Sequence, residues 1–427
     1  MINKIYKFGG ASVKDADAVK NLTRIVDSHK NENILLIVSA MGKTTNMLET
    51  VLDAYRNGTA STNDNPLKSV KDYHYSILSD LFDSRHKVYD RVKGLFDELE
   101  QQLCRTELPY DCHYDQTVSF GELISTTIVS EYLRECGIDA IWLDSRRLVN
   151  TDDCFRAAAV NWESTAEAIS QLNNSHTDSR VFIAQGFIGG TADGQYTTTL
   201  GREGSDYTAA IFANILNAKE VSIWKDVEGL QNADPKRFSQ TVKIPHISYP
   251  EAIELSFYGA TIIHPKTIKP LQNKNIPLNV RSFVRPDAEP TVIDGKEDNR
   301  NEIPSYIVKD NQTLISFSPR DYSFMNEHNL QILFSTFDKL YIHANMVQTS
   351  ALMLSICFDH DKSKLDTLLS SLRKEFSMKY NSGLQLFTIR HYISPDEVEE
   401  NFLRNKKIII KQSSRSTLQY VLKTKAQ

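Results

Sequence analysis

Apolar residues follow two different spacings in the first part of the chain. Residues 15–30 repeat them at helical spacing, which predicts a helix with one apolar face. The segment from Ile34 to Ser39 is an almost uninterrupted, β-branched apolar run, which is typical of a strand buried on both faces. Similar runs predict strands over residues 140–143, 181–188, 221–224 and 279–283. Because strands and helices alternate, we expect an α/β fold with a mainly parallel sheet and helices on both faces.

The pattern changes twice further along. Residues 46–106 are mainly helical in pattern, with a polar loop inside, and predict a helical insertion. The stretch 286–304 is rich in charge and turn residues, which favours a domain boundary. Beyond it, short β segments and helices, one of them over 321–335, follow in the order β-α-β-β-α-β of an α+β ferredoxin-like unit. We therefore predict domains over 1–295, 305–383 and, as a second shortened unit, 384–427.

Length and composition limit the functional classes. A chain of 427 residues is too long for one ordinary core, and 41% hydrophobic with 24% charged residues is a usual globular composition. A net charge of −5 provides no basic field, so no nucleic-acid partner is expected. No apolar run approaches the roughly 20 residues that span a bilayer, and none resembles a secretory signal. We expect no membrane association.

The cysteines point to a reducing compartment. There are five of them, an odd number, and no two form a CxxC pair. This pattern favours reduced thiols in the cytoplasm over a disulfide framework or a zinc site.

The segment from Lys7 to Ser12 is the first candidate for chemistry. Two adjacent glycines, Gly9 and Gly10, stand at a strand-to-helix turn, where backbone N–H groups can approach an anion closely. Lys7 adds a mobile cation, and Ser12 either caps the following helix or binds a phosphate oxygen. Neither the dinucleotide fingerprint nor the Walker loop is present. The segment predicts a phosphate site, and an ordinary tight turn is the alternative.

Three further polar positions follow predicted strands or begin predicted helices. Ser39 opens a polar loop at the carboxyl end of a strand, where ligands gather in open α/β sheets. Glu122 lies in the first turn of a helix, and Arg202 stands between two glycines, where it offers a planar fork for a carboxylate. Each also has an ordinary structural explanation: a polar loop, an acid that complements the helix dipole, and a surface cation.

Five segments together resemble the aspartate kinases of the amino-acid kinase superfamily. The opening KFGGASV, residues 7–13, closely resembles the first motif of that family. Four more match it in order and spacing: FGE at 120–122, TLGREGSD at 199–206, WKDVEGLQNADPK at 224–236 and YGATIIHP at 258–265. The resemblance is strong over residues 2 to about 295 and looser beyond, where the chain resembles ACT regulatory domains.

The resemblance implies a role for each matched residue. It makes Lys7 and Asp206 catalytic. A second set of residues is implied to bind the acceptor amino acid: Ser39, Thr45, Glu122, Arg202 and Ser205. Within this set, Glu122 holds the α-ammonium group and Arg202 holds the α-carboxylate. The resemblance assigns ATP to a third set: Lys7, Phe8, Gly9, Gly10, Ser12, Lys225, Asp226, Gln231, Lys236, Thr261 and Ile262. No metal ligands are implied, because Mg²⁺ is expected to be carried with ATP.

The chain departs from the family pattern at three positions. Glu203 replaces the usual glycine and could crowd its loop. Thr261 stands where many relatives have a lysine that carries phosphate charge, and Lys225 stands where many have threonine. We hypothesise that a lysine has moved from one side of the site to the other. His264 could suggest a general base, but Ile263 and Pro265 beside it favour a structural, hydrogen-bonded histidine.

The resemblance implies transfer of the ATP γ-phosphate to the β-carboxylate of L-aspartate, the first step of lysine, threonine and methionine biosynthesis. Two alternatives stay open, a sibling kinase with another carboxylate substrate and a catalytically silent amino-acid sensor. ACT-type units imply a homodimer or higher homo-oligomer and feedback by lysine or threonine. Ala351 replaces an acidic residue of the ACT pattern, so regulation could also be altered or absent.

Overall fold

The structure, a computed structural model, describes residues 2–60, 65–175, 181–260, 263–296, 303–404 and 406–424. It divides into two compact units. The first comprises Met1–Leu230, Lys243–Ile253 and Ile262–Asp298, and the second comprises Gln231–Val242, Glu254–Thr261 and Asn299–Gln427. Two short segments before residue 295 thus belong to the second unit. The predicted domain limits at 295, 305, 383 and 384 stay a prediction.

An eight-stranded sheet forms the core of the first unit, in the order β3-β5-β2-β1-β8-β10-β11-β9. All its pairs are parallel except β10 with β11. A second sheet has the order β4-β6-β7. The strands are β1 (Lys4–Phe8), β2 (Ile34–Val38), β3 (Ala140–Leu143), β4 (Asn150–Thr151), β5 (Val181–Gln185), β6 (Ile188–Thr191), β7 (Thr197–Thr199), β8 (Glu220–Lys225), β9 (His246–Ser248), β10 (Leu278–Ser282) and β11 (Thr291–Asp294).

Helices follow most of these strands, which confirms the predicted mainly parallel α/β fold. β2 and β5 are buried along their whole length, as the uninterrupted apolar sequence of β2 predicts, and β5 ends in the buried polar Gln185. The helices are α1 (Ala16–Asp27), α2 (Thr44–Arg56), α3 (Pro66–Leu81), α4 (Val88–Leu103), α5 (Tyr110–Val118), α6 (Phe120–Glu135), α7 (Ser145–Leu148), α8 (Trp162–Ser175), α9 (Gly204–Leu216), α10 (Tyr249–Tyr258), which is divided between the units, and α11 (Pro265–Gln272). Helices α2 to α4 occupy the predicted insertion.

The register of the central strands places their carboxyl ends side by side. Phe8 of β1 lies opposite Val38 of β2 and Trp224 of β8, and Val38 lies opposite Gln185 of β5. Since these strands are parallel, the loops that follow them open at one edge of the sheet, where ligands bind in such folds.

The second unit is built on one antiparallel sheet, in the order β13-β14-β12-β15-β17-β16. Its first six elements confirm the predicted β-α-β-β-α-β order: β12 (Ser305–Pro319), α12 (Glu327–Lys339), β13 (Ala344–Thr349), β14 (Leu354–Asp359), α13 (Lys362–Leu372) and β15 (Phe376–Arg390). Helix α14 (Pro395–Val398), a π-helical turn (Glu399–Leu403), β16 (Lys406–Ser413) and β17 (Thr417–Thr424) follow.

One predicted element of this unit differs from the structure in detail, and one untested domain limit falls inside a strand. The helix predicted over 321–335 begins at Glu327, because Asn326 caps it and accepts a hydrogen bond from the Asn329 N–H. The predicted limit between residues 383 and 384 falls inside β15, which pairs with β12 on both sides of it. No helix among the described residues is long and apolar enough to cross a membrane.

Candidate active site

A cavity of about 460 Å³ lies at the carboxyl edge of the first unit's sheet. Its wall is made by loops after β1, β2, β5 and β7 and by the beginnings of α6 and α9. It brings together eight of the predicted site residues: Lys7, Gly10, Ser39, Thr45, Glu122, Arg202, Ser205 and Asp206.

Lys7 and Asp206 form an ion pair inside this cavity. The Lys7 Nζ lies 2.7 Å from Asp206 Oδ1, and the two side chains are only 12% and 5% exposed. Lys7 projects from β1, whereas Asp206 stands in the first turn of α9. Because this ion pair is shielded from water, it holds the Lys7 ammonium group in place near the end of β1.

Gly10 is required by the close approach of two loops. A Cβ there would lie 2.7 Å from the Gly42 oxygen and 2.8 Å from the Ala40 oxygen. The Gly42 N–H also donates a hydrogen bond to the Gly10 carbonyl at 3.0 Å. The loops after β1 and β2 therefore touch through their backbones.

Ser12 does not cap a helix, which corrects one of its two predicted roles. Its hydroxyl donates to the Trp224 carbonyl at 3.3 Å, at the end of β8. Helix α1 is capped by Asp15, whose carboxylate accepts from the Ala18 N–H, because Asp15 has the extended backbone that a cap needs.

Glu122 is a buried carboxyl group with one oxygen left without a partner. Its Oε1 accepts from the Ala40 N–H at 3.2 Å, and its Oε2 has no hydrogen-bond partner among the described residues. The side chain is 2% exposed, and burial raises the pKa of the carboxyl group to about 8. An unpaired buried acceptor at a cavity is costly unless a ligand supplies a donor.

Ser39 and Ser205 join the loop after β2 to the start of α9. The Ser39 hydroxyl donates to the Ser205 hydroxyl at 2.9 Å, and the Ser125 hydroxyl fixes the Ser39 carbonyl at 2.7 Å. A Cβ on Gly186 would lie 2.5 Å from Ser205 Cβ, so the end of β5 also packs against this serine. Both hydroxyls are thus positioned at the cavity.

Glu203 does not crowd its loop. It adopts the left-handed conformation, with φ 54°, and precedes the first residue of α9. Its Oε2 accepts a hydrogen bond from the His264 N–H at 2.8 Å. His264 in turn caps α11, where its Nδ1 accepts from the Lys266 N–H at 3.2 Å, so the predicted structural role of this histidine is confirmed.

A family model for the amino acid kinase family matches residues 4–282. The chain belongs to the amino acid kinase family. Within this family it is 32% identical over 396 residues to the lysine-sensitive aspartokinase 3 of Escherichia coli strain K12, an alignment that covers 90% of this chain and 86% of the relative.

Solved structures of the family extend the similarity to both units. The crystal structure of E. coli aspartokinase III in complex with aspartate and ADP matches with a TM-score of 0.84 and 28% identity, over 98% of this chain and 96% of that one. The same enzyme in complex with lysine and aspartate gives a TM-score of 0.80, also at 28% identity, over 99% and 96% of the two chains. The predicted membership in the aspartokinases, which are ATP-dependent kinases of this family, is confirmed.

The predicted ATP-binding residues of this amino acid kinase are distributed over both units, and two of them lie outside the described residues. Phe8 is buried, and its ring stacks on that of Trp224, so only its backbone can face a ligand. Lys225 is half-buried at the end of β8, and Asp226 beside it is exposed. Gln231 and Lys236 belong to the second unit, and Thr261 and Ile262 lie outside the described residues. Their roles stay predictions.

The cavity wall also contains residues that no motif indicated. Tyr114 and Phe187 contribute to it, and so does Arg156 from the loop between β4 and α8. Arg156 has a left-handed backbone, with φ 67°. Only tertiary contacts bring its loop to the site, and a lone arginine between a phenylalanine and an alanine gives no sequence signal.

Proposed function

We propose that this chain phosphorylates the β-carboxylate of L-aspartate with ATP and releases 4-phospho-L-aspartate and ADP. The observation that carries the proposal is the unpaired buried oxygen of Glu122 in the same cavity as the Arg202 fork. One group suits an α-ammonium group and the other an α-carboxylate, so the pair fits a free amino acid. The similar E. coli aspartokinase III binds aspartate and ADP, which supports the same pair of ligands here.

The remaining acceptor residues would orient the reacting carboxylate. Ser39 and Ser205 present hydroxyl groups whose positions are fixed by the bond between them. Thr45 lines the cavity from the beginning of α2. An aspartate β-carboxylate is already ionised at neutral pH, so the reaction needs no general base. Alignment of the two anions and neutralisation of their repulsion provide the catalysis.

Lys7 would supply the central positive charge. Its ion pair with Asp206 holds the ammonium group at the end of β1, beside the amides of Gly9 and Gly10. These donors would meet the phosphates of ATP at the carboxyl edge of the sheet. No cluster of three acidic, histidine or cysteine side chains in the described part of the chain could hold a metal. We expect Mg²⁺ to be carried with ATP. When bound there it neutralises phosphate charge.

Regulation and assembly would belong to the second unit. Its β-α-β-β-α-β order is that of a ferredoxin-like unit. The E. coli enzyme has been solved in complex with lysine and aspartate, which supports lysine as an effector. Threonine as an effector and a homodimer as the minimum assembly rest on the resemblance to ACT regulatory domains. Five cysteines without a CxxC pair support a cytoplasmic location.

The test is ADP release from Mg·ATP with L-aspartate, in parallel with L-glutamate, N-acetyl-L-glutamate and no acceptor. Hydroxylamine in each reaction traps an acyl phosphate as a hydroxamate. We expect ADP and hydroxamate with L-aspartate alone. Turnover with another acceptor would favour a sibling kinase, and no turnover with any acceptor would favour an amino-acid sensor. Lysine and threonine added to the active reaction would then identify the effector.

A further inference from the structure

Arg156 is a second arginine on the wall of the acceptor cavity. It comes from the loop between β4 and α8, whereas Arg202 comes from the loop before α9. Its side chain is 43% exposed, so the charged group lies at the surface of the cavity and not inside the core.

The backbone of Arg156 is tied to the loop that carries Arg202. Its N–H donates to Asp115 Oδ2 at 3.0 Å, and the same oxygen accepts from the Thr199 N–H at 2.8 Å. Thr199 stands three residues before Arg202. A Cβ on Gly201 would lie 3.2 Å from the Arg156 carbonyl oxygen. The two arginines therefore line one cavity from loops in direct contact.

The guanidinium group of Arg156 is oriented but not fully engaged. Its central carbon lies 4.3 Å from the centre of the Tyr114 ring, an arrangement that fixes the plane of the charged fork. Its two ion pairs are long single contacts, 3.5 Å to Asp111 and 3.6 Å to Glu49. Strong charge-assisted hydrogen bonds are about 2.7–2.9 Å, so the fork retains its capacity for a closer carboxylate.

The charges of the cavity wall leave two cations for the acceptor. Among the described lining residues the acids are Glu122, Glu203 and Asp206. Asp206 pairs with Lys7, Glu203 accepts from the His264 backbone, and Glu122 has its open acceptor for an ammonium group. Arg202 has no acidic partner in this wall, and the two acids near Arg156, Asp111 and Glu49, lie outside the wall at 3.5 and 3.6 Å.

We propose that Arg156 joins Arg202 in binding the α-carboxylate of the acceptor amino acid. Two forks from adjoining loops can grip one carboxylate, while Glu122 receives the ammonium group and the β-carboxylate extends toward Lys7. The role rests on the proposed aspartate kinase reaction and specifies how it selects an acceptor with a free α-carboxylate.

The test compares Arg156→Gln with wild type for two ligands, L-aspartate as substrate and L-aspartic acid 1-amide as competing ligand. The amide keeps the α-ammonium group and the β-carboxylate but has no α-carboxylate. Loss of one charged hydrogen-bonding group should raise the KM for L-aspartate at least about tenfold, with the KM for ATP and kcat little changed. The inhibition constant of the amide should stay within about twofold.

Two further variants separate binding from structure. Arg156→Lys keeps the charge and should give a KM for L-aspartate between those of wild type and Arg156→Gln. Arg147→Gln, on an exposed arginine of α7 outside the cavity wall, should behave as wild type.

Three results would overturn the role of Arg156. A KM for L-aspartate within twofold of wild type in Arg156→Gln would do so, and an equal rise for the amide would mark a structural effect. Wild-type protein without aspartate-dependent ADP release would overturn the proposed reaction together with this role. Wild-type turnover with an unaffected Arg156→Gln variant would overturn the role alone.

Discussion

Lys7 and Asp206 connect the end of strand β1 to the first turn of helix α9 through an ion pair of 2.7 Å between Nζ and Oδ1. Each group compensates the burial of the other, so a change to one exposes the other as an unpaired charge. Variants of both residues can therefore separate the catalytic contribution of Lys7 from its contribution to stability.

Lys7→Ala should lower turnover at least about a hundredfold, because removal of one charge-stabilising donor typically costs roughly 2.7–4 kcal/mol in barrier. It should also lower the free energy of unfolding, since Asp206 stays buried without its partner. The double variant Lys7→Ala/Asp206→Asn should recover stability but not turnover. Steady-state kinetics and urea unfolding of both variants check this. Turnover reduced only severalfold in Lys7→Ala would contradict the role of Lys7.

The buried Glu122 predicts how acceptor binding depends on pH. The free protein holds this carboxyl group with a pKa of about 8, and the ammonium group of the acceptor requires the ionised form. The kcat/KM for L-aspartate should therefore fall about tenfold per pH unit below pH 8. Glu122→Gln should raise the KM at least about tenfold and lose this pH limb. An identical pH profile in both proteins would exclude Glu122 as the titrating group.

The same carboxyl group predicts a stability difference of known sign. Because its folded-state pKa is raised from 4.5 to about 8, the folded protein holds a proton that the unfolded chain has lost in this interval. The free energy of unfolding of wild type relative to Glu122→Gln should thus decrease as pH rises from about 5 to 8, and level off above. Thermal unfolding of the two proteins across this range measures it.

Gly10 and Gly9 offer a matched pair of glycine substitutions. A Cβ at Gly10 meets two backbone oxygens at 2.7 and 2.8 Å, whereas at Gly9 it meets only the side-chain Nζ of Lys7 at 3.3 Å. Gly10→Ala should therefore lower the free energy of unfolding by about 1–3 kcal/mol through forced separation of two loops. Gly9→Ala should change stability far less. Equal losses in denaturant unfolding would show that the backbone approach at Gly10 is relaxed at little cost.

Glu203 predicts an order of stability among three variants. Glu203→Ala removes the hydrogen bond to the His264 N–H, worth roughly 1.5 kcal/mol for a charged acceptor, and keeps a left-handed residue with a Cβ. Glu203→Gly loses the same bond but relieves about 1 kcal/mol of backbone strain. Glu203→Gln keeps an acceptor. Denaturant midpoints should therefore fall in the order Gln, Gly, Ala, and an alanine variant as stable as the glycine one would remove the strain argument.

Lys225 tests whether a lysine has moved across the nucleotide site. It ends β8, whose Trp224 lies opposite Phe8 of β1, so it stands at the carboxyl edge of the sheet, near the turn that contains Gly9 and Gly10. Lys225→Ala should reduce turnover and nucleotide affinity at least about tenfold, with Lys30→Ala on the surface as a control. Unchanged turnover and ATP affinity would remove the hypothesis.

The sequence predicted the parts of this molecule that are local. The apolar run from Ile34 to Val38 defines β2 because a strand buried on both faces is usually apolar at successive positions. The adjacent glycines predicted a tight turn after the first strand. At Gly10 the backbone of the next loop comes so close that a Cβ would collide with it. Glu122 could be placed in the first turn of a helix, but its lack of a partner depends on burial by other elements.

What the sequence could not predict depends on contacts between distant segments. Asp115 binds the backbones of Arg156 and Thr199, 41 and 84 residues away, and no local pattern indicates such a bridge. Burial raises the pKa of Asp115 to about 6, although its hydrogen bonds oppose the shift. The helix expected from 321 begins six residues later because one asparagine decides the cap.

The length of strand β15 determines how the second unit responds to force. Its residues 376–390 pair with β12 along almost the whole length, and the last six also pair with β17. The register of this pairing shifts between Lys309 and Leu314, opposite residues 381–386, but β15 continues as one strand through the irregularity. A force applied near β17 is therefore transmitted through the backbone of β15 to Phe376. The part of the unit before residue 383 should unfold together with the part after it, in one cooperative step.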